Sequence, residues 1–276
     1  MVAQDIALGM RLKAAANWNQ TAADWRMLLD AGTGLVASWD GVACGTVTVV
    51  PYGPFAWIGM LLVDPAFRGR GIGTALLEAA IAVVPEGVAA RLDATPQGEP
   101  LYLRRGFAKE YGLARFRRAA APWRGDAAGG GGIVCQSVSP AVLPELAQYD
   151  LPIFGGDRGG LLRELWRRAP QVAYLARRDD QLVGYCLGRS GSHCEQLGPV
   201  IAEDATVARA LLAAALQRCF HRDVILDATE SHAAWLGMVE GAGFEWQRPF
   251  CRMCLGGDST FGPPSRQFAI AGPELG

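Results

Sequence analysis

The chain has 276 residues, half of them hydrophobic, and 26 basic residues balance 27 acidic ones, for a net charge of −1. This length suggests about two domains with sizeable cores. The balance of charge excludes non-specific electrostatic binding of nucleic acid or anionic lipid by the chain as a whole. Asp64, Arg68 and Arg70 interrupt the most apolar stretch, which excludes a membrane span. Asp5 stands where a signal peptide would carry basic residues, so we expect a cytoplasmic protein.

The first predicted elements are a helix and a hairpin. Thr21 and Asp24 have the spacing of a capping box, and Gly32 ends the helix that they begin. An Asp40-Gly41 turn then joins two strands, predicted at Leu35–Trp39 and Ala43–Val50.

A βαβ unit follows the hairpin. Ile58–Val63 is almost continuously apolar, which is typical of a strand buried on both faces. A glycine-rich loop, Arg68–Thr74, leads into an amphipathic helix over Thr74–Val84, and Arg91–Ala94 forms the second strand.

Pro122 and four consecutive glycines interrupt regular structure between Ala119 and Gly132. We place a boundary near 128, which gives domains at 1–128 and 129–276. In the second domain, Phe250–Leu255 forms a strand, and Phe268–Ile270 forms a short edge strand after an extended arm.

A weak repeat relates the two halves. Leu92-Asp93-Ala94-Thr95 recurs as Leu226-Asp227-Ala228-Thr229. Gly106-Phe107 with Arg115 recurs as Gly243-Phe244 with Arg252, and further similarities keep the same order at offsets of 134 to 139 residues. The chain is therefore predicted to be a duplication.

The seven cysteines are an odd number, and we expect most of them to be small buried hydrophobes. Cys251 and Cys254 are the closest pair, but residues three apart in a strand point to opposite faces. The three histidines lie far apart, so we predict no metal site.

The loop at Arg68–Thr74 carries the clearest chemistry. Glycines allow a ligand to approach the backbone closely, and the following helix offers free N–H groups and the positive end of its dipole. Arg68 and Arg70 add positive charge, so the loop is predicted to bind phosphate. A nucleoside triphosphate loop would need Gly-Lys-Ser/Thr, and the glycine spacing does not fit a dinucleotide fold.

The loop and its surroundings resemble the GNAT N-acetyltransferases. Val63-Asp64-Pro65, the segment Arg68–Gly73 and Leu76-Leu77 resemble the coenzyme A pyrophosphate loop of that family, and Tyr102–Phe107 resembles its Tyr-x-x-x-Gly-Phe segment. The resemblance implies an α+β fold of two tandem repeats, each a mixed, mostly antiparallel sheet flanked by helices.

The resemblance also implies a site in the first repeat for acetyl-CoA as cosubstrate. Leu61, Leu62 and Val63 would pair with the pantetheine arm in a V-shaped opening between two strands. The pyrophosphate would lie on the loop residues Arg68, Gly69, Arg70, Gly71, Ile72, Gly73 and Thr74. Tyr102 matches the position of the acid that protonates the departing thiolate.

The base is left unassigned, because Asp93 is equally well explained as a structural hydrogen-bond acceptor. The second repeat is shorter by four residues between the matching strand and helix, and Val239 replaces the tyrosine. It resembles a degenerate repeat without a donor site. Asp157 could recognise a cationic amine, with Arg158 orienting it, or it could instead begin a helix.

The leading hypothesis is an enzyme that transfers an acetyl group to a primary amine of a small molecule or peptide by direct attack. We expect a monomer or homodimer with no nucleic-acid or membrane partner. Two alternatives remain: a non-enzymatic acyl-CoA-responsive binding protein and a structural, partner-binding protein.

Overall fold

The computed structural model describes residues 1–125, 132–257, 261–262 and 264–276. The first half contains four helices and five strands: α1 (Ile6–Ala15), α2 (Ala22–Ala31), β1 (Thr33–Trp39), β2 (Val42–Pro51), β3 (Phe55–Val63), α3 (Ile72–Val83), β4 (Ala89–Ala94), α4 (Glu99–Arg104) and β5 (Ala108–Arg118).

The described part of the second half repeats this order with additions at both ends. Its elements are β6 (Val134–Ser137), α5 (Leu143–Phe154), α6 (Gly159–Arg168), β7 (Tyr174–Arg178), β8 (Gln181–Ser190), β9 (Glu195–Ala202), α7 (Ala205–Leu216), β10 (Val224–Thr229), α8 (Ala233–Gly241), β11 (Glu245–Leu255) and β12 (Gln267–Ala269).

Local predictions in the first half are confirmed. Thr21 caps α2, and its backbone N–H donates to the Asp24 carboxylate in a capping box. Asp40 and Gly41 both have positive φ, 48° and 79°, as the tight turn between β1 and β2 requires. The predicted helix at Thr74–Val84 corresponds to α3, which begins two residues earlier and ends at Val83, and the strand at Arg91–Ala94 lies in β4.

The twelve strands of the described residues form one sheet, in the order β1-β2-β3-β4-β11-β5-β10-β12-β9-β8-β7-β6. The pairs β3–β4 and β9–β10 are parallel, and the others are antiparallel. The predicted α+β class with mixed, mostly antiparallel sheets is therefore confirmed, and the sheets of the two repeats are continuous.

The repeats exchange a strand. The strand β11 of the second half lies between β4 and β5 of the first half, and β5 in turn pairs with β10. The predicted boundary near 128 falls outside the described residues, so it stays a prediction. A boundary there would separate the two halves of the sequence, whereas the sheet is continuous across both halves.

The repeated motifs meet across this exchange as two reciprocal ion pairs. Arg252 on β11 binds both carboxylate oxygens of Asp93 on β4, at 2.8 and 2.9 Å. Arg115 on β5 binds both oxygens of Asp227 on β10, at 2.6 and 2.7 Å. Each half thus supplies the aspartate of one pair and the arginine of the other.

Helices cover both faces of the sheet. α3 packs on β1–β3 and α7 on β7–β9, each over its own apolar cluster. On the other face, α1, α2, α5 and α6 share one buried cluster that joins the two halves. Cys251 and Cys254 belong to clusters on opposite faces, as predicted.

The prediction of an edge strand near the C-terminus is wrong. β12 lies between β9 and β10, where all three of its residues are buried. β9 and β10 pair only as far as Leu197 and Leu226, and β12 fills the gap beyond them. An apolar segment gains more by filling this gap than by adding to a solvent-exposed edge.

Candidate functional site

The first repeat keeps the opening that β12 fills in the second. β3 and β4 pair through Trp57 and Arg91, and β3 then continues to Val63 without a β4 partner. Met60 has a φ of +52°, beside an irregularity in the pairing of β2 with β3. This bulge turns the end of β3 away from β4, so the V-shaped opening expected from the sequence is present.

A cavity of about 880 Å³ occupies this opening. One part of its lining belongs to the cluster beneath α3 and includes Ile72, Leu101 and Tyr102. Another part belongs to the cluster beneath α1 and α2 and includes Trp18 and Met60. The cavity is thus lined from both faces of the sheet, which we name the α3 face and the α1 face.

The glycine-rich loop forms the entrance to α3. Gly69 and Gly71 have φ values of +77° and +79°, and a side chain at either position would meet no atom within 4 Å. In the described structure, the N–H groups of residues 69–74 have no backbone acceptor. Open space over free N–H groups at a helix N-terminus fits a pyrophosphate.

The two loop arginines differ in position. Arg68 lines the cavity and donates from Nε to the Val63 backbone oxygen at 3.2 Å. Arg70 lies against the rings of Trp39 and Phe67, each 5.4 Å from its guanidinium, and is not part of the cavity lining. Leu61, Leu62, Val63, Gly69, Gly71, Ile72, Gly73 and Thr74 all line the cavity.

Tyr102 lines the cavity on the α3 face. Its ring contacts Phe107 edge-on, with centroids 5.8 Å apart, and Oη has no hydrogen-bond partner in the described part of the chain. Burial raises the pKa of Tyr102 to about 12. The phenol therefore stays protonated at neutral pH and can donate a hydrogen bond into the cavity.

Asp93 lines the cavity, but both of its oxygens bind Arg252. Its side chain is fully buried. These contacts support the interpretation of Asp93 as a structural hydrogen-bond acceptor.

Sequence reasoning missed a carboxylate that the C-terminal tail brings to the α1 face. Glu274 lines the cavity and is buried; Oε1 accepts a hydrogen bond from Arg189, whereas Oε2 has no partner among the described residues. Three side chains hold the backbone of this tail: Trp57 donates to Pro273, Tyr52 to Leu275 and Arg158 to Gly276. Its position depends on contacts more than 80 residues apart, which no local pattern reveals.

The exchanged strands bring two further residues that were missed. Arg248 on β11 and Arg115 on β5 are register partners, and both line the cavity. Their guanidinium groups lie over the ring of Phe250, at 4.8 and 5.1 Å from its centroid. The exchange therefore places second-repeat residues in the first-repeat site.

Asp157 and Arg158 do not line this cavity; they border a separate one of about 120 Å³. Asp157 accepts the backbone N–H of Gly159 at 2.9 Å, at the start of α6. Arg158 is buried and binds both oxygens of Asp150, at 2.8 and 2.9 Å. These contacts favour the helix-start alternative for Asp157 and an anchoring role for Arg158.

The second repeat differs at each donor position. β12 occupies its strand opening, and a side chain at Gly198 would lie 1.9 Å from the Ile270 backbone oxygen. Asp204 caps α7 by accepting from the N–H groups of Thr206 and Val207, and Val239 is buried. The N–H groups that an anion would bind at this helix are therefore already occupied by a carboxylate.

Family models match both halves of the chain. The acetyltransferase (GNAT) family model matches residues 10–107, and an acetyltransferase (GNAT) domain model matches residues 146–269. The chain belongs to the GNAT acetyltransferase family, as an acyltransferase with two GNAT domains in tandem.

Individual relatives agree with this assignment. The uncharacterized N-acetyltransferase YitH of Bacillus subtilis is 28% identical over 209 residues, which are 73% of this chain and 71% of that protein. A candidate acetyltransferase from Pyrococcus horikoshii superposes with a TM-score of 0.82 at 24% identity, covering 100% of this chain and 94% of the other. A tandem GNAT protein from the clavulanic acid biosynthesis pathway superposes with a TM-score of 0.63 at 17% identity, covering 94% of this chain and 98% of the other. The two solved structures show the shared fold.

Two features are absent from the residues that the structure describes. No helix in the described ranges is long and apolar enough to cross a membrane. Within the same ranges, no cluster of three histidine, cysteine or acidic side chains could hold a metal ion.

Proposed function

We propose that the first repeat transfers an acetyl group from acetyl-CoA to a primary amine of a small molecule or peptide by direct attack. The observation that carries the proposal is the single opening between β3 and β4, which has the glycine-rich loop on one side and Tyr102 in its wall. The free N–H groups of loop residues 69–74 and the side chain of Arg68 hold the pyrophosphate, and the unpaired end of β3 binds the pantetheine arm. Arg70, which lies outside the cavity lining, contributes through its charge.

The α1 face receives the acceptor. A neutral amine attacks the thioester carbonyl carbon, so that a C–N bond forms as the C–S bond breaks. The amine nitrogen loses a proton and the sulfur gains one. Deprotonating an alkyl amine of pKa about 10.4 at pH 7 costs about 4.6 kcal/mol, whereas an α-amine of pKa about 8 costs about 1.4 kcal/mol.

Tyr102 acts on the sulfur. With its pKa at about 12, full proton transfer to a thiolate whose thiol has a pKa of about 8.5 is uphill by about 5 kcal/mol. Tyr102 therefore contributes chiefly as a hydrogen-bond donor that stabilises the developing negative charge.

The test combines calorimetry with acetyl-CoA and thiol release with a panel of amines. Gly71→Glu should abolish binding because it places a carboxylate against the pyrophosphate. Gly87→Glu is the matched control, since Gly87 has a φ of +78° and open space around it but lies outside the cavity lining. Binding without amine-dependent thiol release would identify an acyl-CoA-responsive binding protein. Equal binding by both variants would refute the loop assignment.

A further inference from the structure

The charged groups on the α1 face of the cavity are mostly paired. Asp93 is bound by Arg252, Arg115 by Asp227, and Glu274 by Arg189. Arg248 lines the same cavity, and no carboxylate lies within 4 Å of it among the described residues. In the described structure, the guanidinium of Arg248, at the acceptor end of the cavity, therefore has no carboxylate partner.

Among the described residues, the charge of Arg248 is stabilised only by the ring of Phe250, 4.8 Å from its guanidinium, and by the more distant carboxylate of Asp227, which Arg115 already binds. The side chain of Arg248 is partly buried against Phe250, and Arg115 faces it across the strand pair. Burial, followed by the charge of Arg115, lowers the pKa of Arg248 below its usual range. An anion bound here would relieve both effects and accept the planar pair of N–H donors.

We propose that the acceptor is an amine that also carries an anionic oxygen group and that Arg248 binds this group. The inference rests on the proposed acetyl transfer and specifies its substrate class. It disfavours polyamines, whose second charge would meet Arg115 and Arg248.

The experiment measures thiol release with matched acceptors: α-amino acids against their carboxamides, phosphoethanolamine against ethanolamine, and putrescine. The anionic member of a pair should have at least a 10-fold higher kcat/KM. The amino-acid and phosphate pairs distinguish the two kinds of anion. Arg248→Gln should lower kcat/KM for the anionic member about 10- to 100-fold through KM. Its neutral partner and the acetyl-CoA Kd should stay unchanged.

Two further variants test the role of Arg248. Arg248→Lys keeps the charge and should retain part of the preference, whereas Arg167→Gln removes an exposed arginine outside the cavity and should change nothing.

Each result decides between the two proposals. Transfer to neutral or dicationic amines at equal rates, or an unchanged preference in Arg248→Gln, overturns the inference and leaves acetyl transfer standing. Acetyl-CoA binding without acetylation of any anionic amine in the panel also overturns it. Failure to bind acetyl-CoA at all refutes the proposed function.

Discussion

Replacing Asp93 with asparagine tests the contact that joins β4 of the first repeat to β11 of the second. Both side chains of the Asp93–Arg252 pair are 0% exposed. Asn removes the negative charge and one of the two acceptor oxygens, so the guanidinium keeps only neutral partners: the amide oxygen, Oη of Tyr111 at 2.7 Å and the ring of Trp57, 4.6 Å away. Asp93→Asn therefore leaves a buried charge without its counter-ion.

The expected loss in unfolding free energy is about 3–5 kcal/mol, the range for breaking one side of a buried ion pair. For a chain of this size, the melting temperature should fall by roughly 6–20 °C. Replacing both residues with apolar ones, Asp93→Leu with Arg252→Met, removes the lone charge. The double variant should be close to the wild type in stability or above it.

Urea unfolding followed by circular dichroism measures these differences. Glu164→Gln is the control, because its partner Arg167 is 68% exposed and the loss should stay below about 1 kcal/mol. A loss below 1 kcal/mol in Asp93→Asn would contradict the reasoning. A double variant as unstable as the single one would show that the pair acts through packing and not through its charge.

Three other outcomes are expected. Tyr102→Phe should keep acetyl-CoA affinity and lower kcat by about 10²–10³-fold. Because the pKa of Tyr102 is about 12, wild-type kcat should show no Tyr102-dependent fall between pH 7 and 10. A fall in kcat near pH 8–9 that disappears in the variant would refute this prediction. Calorimetry should give one coenzyme A per chain, whereas two equivalent sites would contradict the occupation of the second opening by β12. Asp157→Ala should lower stability by about 1 kcal/mol through the lost contact to Gly159 and leave the acceptor KM unchanged; a raised KM with unaltered stability would restore the substrate role.

The confirmed predictions concern features that are determined by short stretches of sequence. The capping box of α2 and the Asp40-Gly41 turn depend on residues one to three positions apart. The conformation of the glycine-rich loop can be predicted because its glycines tolerate positive φ. Such local preferences act in any context in which the segment folds.

The features that were missed depend on distant pairing. Asp93 and Arg252 are 159 residues apart, and Arg189 and Glu274 are 85 apart. The repeat indicated that Asp93 and Arg115 have counterparts in the other half, but it does not reveal which half supplies each partner. Strand order is decided by the packing of the whole sheet, so Arg248 on β11 and Glu274 in the tail could not be assigned to the cavity from local patterns.

The exchanged strand also affects how the chain is made. During synthesis, β4 is complete long before residues 245–255 leave the ribosome, and its final neighbour is therefore missing. An unpaired strand edge can bind other chains, and non-local pairings of this kind form slowly. The nascent first repeat must keep the edge of β4 from pairing elsewhere until nearly the whole chain is available, which makes co-translational protection of that edge a requirement for efficient folding.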